Sequence, residues 1–247
     1  MKISIITVCF NSEKTIEDTI KSVELQTYPN IEYIIIDGNS KDCTNEIVAK
    51  YKDVVTVHVS ESDNGLYDAM NKGIHLATGD ILGILNSDDV LANSNTIKNI
   101  VDSLGENDGV YGDVGFYAED SFSAKKRHYS SKGFTKEKFS RGMMPAHPSF
   151  YVKKDCYEKA GSYRTDFKIA SDFDMVLRIF SLPNTSFTYF EDEIVKMRLG
   201  GVSTSGFMSN YILNKEILES CKSNGIKANW LSILSKYPSK IMGYIFK

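Results

Sequence analysis

Apolar and polar positions follow two periods in the first third of the chain. Ile3 to Val8 is an unbroken β-branched run, the pattern of a short strand covered on both faces. Asn11 and Ser12 offer caps for a helix reaching about Gln26, and Pro29 closes that unit. Residues 31–37 (IEYIIID) predict a second buried strand and GNSKDCT a turn. Residues 44–52 read as a second helix, and Val54 to Val59 alternates like a third strand. SESDNG (60–65) is a loop. After it Leu66, Met70, Ile74 and Ala77 recur at helical spacing, and Gly79 ends that helix. Residues 80–86 (DILGILN) then form a fourth strand that delivers the chain into Ser87, Asp88 and Asp89.

Strand–helix alternation with short connections implies right-handed crossovers and a parallel sheet. Ligands of such sheets bind at the carboxyl ends of the strands. Asp37, Asp63 and the Asp88–Asp89 pair all fall at or just after strand ends, which favours their meeting in one cleft. From about residue 109 the pattern changes. GVYGDVGFYAED and AKKRHYSSKGF predict short strands, more antiparallel than crossover-linked, and HPSFYV (147–152) a further strand. A short helix at 155–160, a helix around 170–181 and a strand near 187–197 follow. The tail holds an amphipathic helix from Phe207 to Cys221 and then NWLSILSKYPSKIMGYIFK.

Composition narrows the class. The 247 residues, 42% hydrophobic and 25% charged, suit one generous soluble domain with a small appendage. A net charge of −3 argues against a nucleic-acid binder. Cys9, Cys43, Cys156 and Cys221 are scattered, so neither a zinc site nor a dense disulfide framework is expected, and reduced thiols are. The chain enters a strand at once, without the series of segments that makes a signal peptide, and no apolar run reaches bilayer-spanning length.

The candidate chemistry lies in four segments. In NSDD (86–89), adjacent carboxylates behind a buried strand call for a positive partner, and Mg2+ or Mn2+ held jointly with substrate phosphates is one. A turn in which Asp88 or Asp89 caps the next helix is the other reading, with Asn93 competing for that place. Asp37 at the end of its strand can accept bonds from a ribose or base edge, or can form a turn before Gly38. CFNSEK (9–14) lacks the Gly-rich dinucleotide loop, which counts against a nicotinamide enzyme. In SDNGLYDAMNKG (62–73), polar groups gather at a helix start, with Lys72 placed to meet a phosphate or to lie in solvent. ASDFDMVLRIF (170–180) carries Asp172 and Asp174 in the first turn of an apolar-faced helix, where the helix dipole favours acids.

Together TVCFNSEKTIEDTIKSVELQ, IIIDGNSKDCT, SDNGLYDAMNKGI, LGILNSDD, HPSFYVKKD and ASDFDMVLRI resemble bacterial glycosyltransferase family 2, in order and spacing, over about residues 1–200. The polysaccharide-assembly members that build O-antigen, capsule or exopolysaccharide are the most similar. The resemblance implies a GT-A fold, an α/β Rossmann-like, mostly parallel sheet flanked by helices. It implies a domain over 1–205, with a nucleotide-binding half (1–105) and an acceptor-side half (106–205), before a helical tail (206–247).

It also implies an inverting, metal-dependent transfer from a nucleotide-sugar, with UDP-sugars the expected donors, to a saccharide acceptor expected to be lipid-diphosphate-linked. Thr7, Val8, Phe10, Asp37, Asp63, Lys72, Asn86 and Asp88 would then hold the donor. Asp89 and Asp88 would hold Mn2+ or Mg2+, and Asp172 would be the catalytic base. His147 and Asp174 would lie on the acceptor side. Two positions depart from the family pattern: Met70 stands where many relatives have arginine, and Ser171 where many have an acid.

Two other classes stay open. A nucleotidyltransferase would want a Gly-rich basic loop near the N-terminus, and a non-catalytic sugar-binding protein would show no turnover. After Glu219 the tail has five lysines (Lys222, Lys227, Lys236, Lys240, Lys247) and no acid, interleaved with Trp230 and aliphatics. That pattern suits a segment lying on an anionic bilayer surface, so a peripheral location on the inner face of a bacterial cytoplasmic membrane is expected. Packing on the domain or on a second subunit is the alternative, and the oligomeric state stays open.

Overall fold

The computed structural model describes residues 1–118, 122–199 and 207–237. The first half is built on β1 (Ile3–Cys9), β2 (Ile31–Asp37), β3 (Val57–Ser60) and β4 (Ile81–Ile84), with α1 (Ile16–Glu24), α2 (Thr44–Val48) and α3 (Leu66–Leu76) between them. Each strand pairs in parallel with its neighbour, in the order β3-β2-β1-β4. β5 (Val90–Leu91), α4 (Thr96–Leu104), β6 (Gly109–Tyr117), β7 (Lys125–Tyr129), β8 (Tyr151–Lys153) and α5 (Lys154–Ala160) follow. The last described elements are α6 (Ser171–Ser181), β9 (Phe187–Arg198), α7 (Phe207–Ser223) and α8 (Trp230–Leu234). The sheet continues β4-β8-β6-β9-β5, with β7 beside β6.

The two faces of the sheet are covered by different helices because alternate side chains of each strand point opposite ways. Ile6, Val8, Ile34 and Ile36 face Tyr67 and Met70 of α3, Val176 of α6 and Ile217 of α7. Ile3, Ile5, Tyr33 and Ile35 face Ile16 and Ile20 of α1 and Ile97 and Ile100 of α4. α3 approaches β1 so closely that a Cβ at Gly73 would lie 2.4 Å from Ile6 Cγ2, so only glycine fits there.

Several expectations change in detail. β3 starts at Val57, because the backbone at Val54 and Val55 turns back onto Tyr51. Residues 147–149 form a 3-10 turn with Pro148 inside it, which leaves only Tyr151–Lys153 as strand. The second half is antiparallel at β4–β8, β8–β6 and β6–β7, as the pattern suggested, yet β6 and β9 pair in parallel across some seventy residues of sequence. The end of the GVYGDVGFYAED segment (119–121), the 205/206 boundary and residues 238–247 of the tail lie outside the described residues.

At the edge away from the acidic strand ends, Glu32 joins three elements. It accepts from Lys2 Nζ (2.6 Å), Ser4 Oγ (2.6 Å), Thr78 N (2.7 Å) and Thr78 Oγ1 (2.6 Å). Burial pushes its pKa up, but these donors outweigh burial and bring it down to about 2. Glu32→Gln should therefore destabilise the fold by about 1–3 kcal/mol at neutral pH. Because the folded-state pKa is depressed, that advantage is complete above the ordinary glutamate pKa of about 4.3 and disappears as the pH falls through about 2. Denaturant melts of both proteins from pH 7 downward check this. A constant difference would show that the carboxylate's charge is irrelevant.

Candidate active site

The sheet's carboxyl edge collects acids, and their hydrogen bonding differs sharply. Asp37 is fully buried at the end of β2. It accepts from Ser40 N (3.0 Å), Ser40 Oγ, Asn45 Nδ2 (2.9 Å) and Ser60 Oγ (2.6 Å), with Cys9 Sγ at 3.7 Å. Burial alone would raise its pKa, but the hydroxyl and amide donors hold it below the usual carboxylate range. The carboxylate thus organises the turn at Gly38 with donors of its own chain. Beside it Asp63 accepts from Gly65 N (2.8 Å), and a Cβ at Gly38 would lie 2.7 Å from Asp63 Oδ2 and 3.4 Å from the Phe10 ring. Glycine at 38 lets these two side chains close on one spot, and Phe10 leaves its ring 62% exposed there.

The 86–91 segment is pinned from α1 and from the loop ahead of it. Thr19 Oγ1 donates to the Asp89 carbonyl (2.8 Å), Leu91 N donates to Ser22 Oγ (3.2 Å), and the Ser12 and Ser87 hydroxyls meet at 2.9 Å. Asp89 is 1% exposed and Asp88 is half-buried. Asn86 Nδ2 donates to Asp89 Oδ2 (2.9 Å), and the backbone N–H of Arg198 also reaches the Asp89 carboxylate. These donors fall short. Burial, then the Asp88 charge, pushes the Asp89 pKa well above the ordinary value, and burial raises Asp88 as well. Helix capping does not explain the pair, because β5 intervenes and α4 begins only at Thr96.

An under-compensated pair of hard oxygen donors suits Mn2+ or Mg2+. Among the described residues no three His, Cys, Asp or Glu side chains converge as a metal-holding group. A divalent ion held here would take these two carboxylates from the described residues.

Asp172 stands in the first turn of α6. Phe173 N donates to its Oδ1 (2.7 Å), while enclosure, opposed by backbone N–H groups and reinforced by the Glu216 charge, pushes its pKa up to about 6. α3 holds the loop that delivers it. Asn71 bonds Tyr163 both ways (Nδ2 to the carbonyl, 3.0 Å; Oδ1 from N–H, 2.7 Å), and Tyr67 donates to the Ile169 carbonyl (2.5 Å). The Tyr67 and Tyr163 rings stack at 5.9 Å.

The remaining candidates are held elsewhere. Thr7 is fully buried and its hydroxyl shares a bond with Tyr33 (3.1 Å), and the Val8 side chain packs in the core. Lys72 pairs with Glu61 (2.9 Å) and donates to the Ser62 carbonyl (3.2 Å), which fastens the 60–65 loop. His147 is buried, held neutral near pKa 4 by that burial, and bonded to the Tyr163 hydroxyl (2.6 Å). Asp174 lies in the α6–α7 interface, bonded to Arg178 Nε (2.7 Å) and Ser220 Oγ (2.8 Å). Met70, in the arginine position, is buried core.

Arg198 and the Tyr67–Asn71 pair were not singled out from the sequence. Arg198 stands one residue past the expected end of its strand. It reaches Asp18 of α1 and lies with its guanidinium 4.3 Å from the Phe122 ring centre. The i,i+4 spacing of Tyr67 and Asn71 on one helix was the only available signal for that pair.

A half-parallel α/β sheet with acids along its carboxyl edge is the build of a GT-A type glycosyltransferase fold. The chain belongs to glycosyl transferase family 2, whose sequence profile matches residues 4–158. An uncharacterised glycosyltransferase of Mycobacterium tuberculosis is 33% identical over 178 residues, 71% of this chain and 68% of that protein. A PGL/p-HBAD biosynthesis glycosyltransferase of Mycobacterium bovis is 28% identical over 223 residues, covering 87% and 82%.

Among solved structures, S. aureus TarS 1–349 in complex with UDP-GlcNAc superposes with a TM-score of 0.70 at 18% identity, over 89% of this chain and 66% of that one. The mannosyltransferase PcManGT of Pyrobaculum calidifontis, with GDP-Man and Mn2+, gives 0.62 at 14%, over 98% and 80%. The chain spans 39% of the longer TarS structure. These neighbours establish the fold, and the family membership makes the chain a glycosyltransferase.

Because the Thr7 hydroxyl is enclosed with Tyr33, Thr7→Val should leave the donor KM unchanged while costing about 1–3 kcal/mol of stability. Steady-state kinetics and thermal melts read the two effects. A raised KM in a variant as stable as the parent would put that hydroxyl on the donor.

Proposed function

We propose that this enzyme is an inverting, metal-assisted transferase that moves a sugar from a nucleoside diphosphate, with UDP the favoured carrier, to a hydroxyl of a lipid-linked saccharide in bacterial surface-polysaccharide assembly. The observation that carries the reading is the under-compensated Asp88–Asp89 pair, pinned at the sheet's carboxyl edge. The nucleotide-sugars in the TarS and PcManGT structures support the donor class, and the name of the M. bovis relative, a PGL/p-HBAD biosynthesis glycosyltransferase, supports a biosynthetic role.

In this reading Phe10, Asp63 and the Asp37 turn form the floor for the nucleoside, with the exposed Phe10 ring available for stacking. Asn86, Asp88 and Asp89 face the diphosphate. A divalent ion bound there neutralises the charge of the departing diphosphate. Asp172 removes the proton from the acceptor hydroxyl as that oxygen attacks the anomeric carbon, and the bond to the diphosphate breaks on the opposite face. A pKa near 6 leaves Asp172 largely ionised at neutral pH yet more basic than a free aspartate, which suits a general base.

Nucleotide release from UDP-, GDP- and dTDP-sugars, with and without a lipid-diphosphate acceptor, tests the class. Turnover should stop in EDTA and return with Mn2+ or Mg2+. Asp89→Ala should melt cooperatively without binding nucleoside diphosphate. Asp172→Asn should lose about 10²–10⁴-fold in turnover at unchanged donor affinity, and the wild-type rate should fall below about pH 6. Full turnover in EDTA defeats the metal assignment, and a fully active Asp172→Asn moves the base elsewhere.

A peripheral membrane location has its own support. Met208 and Tyr211 of α7 and Trp230, Leu231 and Leu234 of α8 are exposed, with Leu231 82% open and the Tyr211 and Trp230 rings stacked at 5.8 Å. Lys215, Lys222 and Lys227 are exposed on or between the same helices. Apolar side chains rimmed by lysines suit an anionic lipid surface. No helix of the described residues is long and apolar enough to cross a membrane.

The start of the 229–247 tail also has a packing role. Ile233 is fully buried, Lys236 is 4% exposed, and Ser232 Oγ donates to the Ser140 carbonyl (2.8 Å). Deleting the whole tail would therefore damage the core. Leu231→Asp, by contrast, should fold normally, lose binding to anionic phospholipid vesicles in a flotation assay and keep transfer to a soluble acceptor. Undiminished vesicle binding would remove this face from consideration.

A further inference from the structure

The loop that delivers Asp172 is held by a carboxylate from the far end of the chain. Glu216 of α7 is 8% exposed and turns its side chain into the last three residues before α6. Its Oε1 accepts from Lys168 N (2.8 Å), and its Oε2 accepts from Ile169 N (2.9 Å) and Ala170 N (2.9 Å). Three consecutive N–H groups thus converge on one buried carboxylate. α6 has no side-chain cap from its own N-cap residue, Ala170, so Glu216 satisfies donors ahead of the helix that an ordinary cap does not reach. Among the described ion pairs Glu216 has no cationic partner, so these amides are what compensate its charge. An amide side chain cannot replace it, because its single oxygen cannot accept three bonds and its NH2 group would face N–H donors.

We propose that Glu216 is a positioning residue of the transfer reaction: by clamping residues 168–170 it fixes where the Asp172 carboxylate points and places its own negative charge beside that base. The proposal rests on the reading of Asp172 as the general base. The titratable groups facing Asp172 are Tyr67 from α3, Tyr163 from the preceding loop and Glu216 from α7. Burial keeps both tyrosines neutral across the working pH range, which leaves Glu216 as the charged neighbour. A like charge beside a carboxylic acid raises its pKa. Removing that charge lowers the Asp172 pKa, so the acid limb of the rate profile moves to lower pH.

The test compares Glu216→Gln with Asp172→Asn and wild type, using pH profiles of kcat and the donor KM on proteins checked by thermal melting. Glu216→Gln should keep the donor KM, lose up to about 10²-fold in kcat through misplacement of the base, and shift its acid limb to lower pH. A purely structural role would lower the melting temperature and leave the limb in place, which overturns the proposal, as does a wild-type kcat. If Asp172→Asn keeps its turnover, the base assignment fails and this inference falls with it. If Asp172→Asn is inactive while the Glu216→Gln limb stays put, only the positioning role fails. Should Glu216→Gln melt below the assay temperature, Glu216→Asp serves instead. It keeps the charge and shortens the reach, so kcat should fall with the limb unmoved, and an unchanged kcat overturns the proposal.

Discussion

A carboxylate taken out of water must be given donors or a cation, and the way this chain meets that requirement divides its buried acids into two kinds. Glu32, Asp37, Asp174 and Glu216 are supplied by the chain itself, each with at least two good hydrogen bonds from side chains or backbone. Asp88 and Asp89 differ: the two donors that reach Asp89 do not offset its burial and the Asp88 charge, and burial raises the pKa of Asp88 as well. The first group builds the scaffold: it ties β1 to β2, β2 to its turn, α6 to α7, and α7 to the loop before α6. The second group is left under-compensated by the chain. The contrast sorts these acids in a way that no single motif does, since all six residues are equally acidic in the sequence.

Much of the first half was legible because its signals are local. Buried parallel strands read as unbroken β-branched runs, and β1 and β2 appear where such runs stand. The acids at strand ends were legible for the same reason, since a parallel sheet presents all its carboxyl ends on one edge. What stayed hidden depends on contacts distant in sequence. Nothing local tells β6 to pair in parallel with β9, or tells a two-residue β5 to form at all. Thr7 belongs to a donor-binding segment by resemblance, yet the period-2 geometry of β1 points its hydroxyl inward to Tyr33. HPSFYV looks strand-like by composition, but Pro148 and the Ser149 hydroxyl, which donates to the Gly112 and Ala146 carbonyls, favour a turn.

The acceptor half was read less well, for the same physical reason. Asp172 and Asp174 are two residues apart on one helix and cannot share a face, so Asp172 takes the Phe173 N–H while Asp174 packs against α7. His147 likewise holds the Tyr163 hydroxyl from inside the core, so any effect it has on catalysis passes through the loop that Tyr163 anchors. That loop is fixed from α3 by Asn71 and Tyr67 and from α7 by Glu216, two supports that arise about 145 residues apart in the chain.

α7 therefore has two faces with different tasks. Inward it places Glu216, Ile217, Ser220 and Cys221 against α6 and the base loop. Outward it exposes Met208 and Tyr211, the latter stacked on Trp230 of α8. The outer face belongs to a helix whose Glu216 side chain takes three hydrogen bonds from the backbone N–H groups of residues 168–170, just ahead of Asp172. Interfaces packed this tightly transmit small shifts rather than absorb them. Such packing couples the outer face of α7, through Glu216, to the loop just ahead of Asp172.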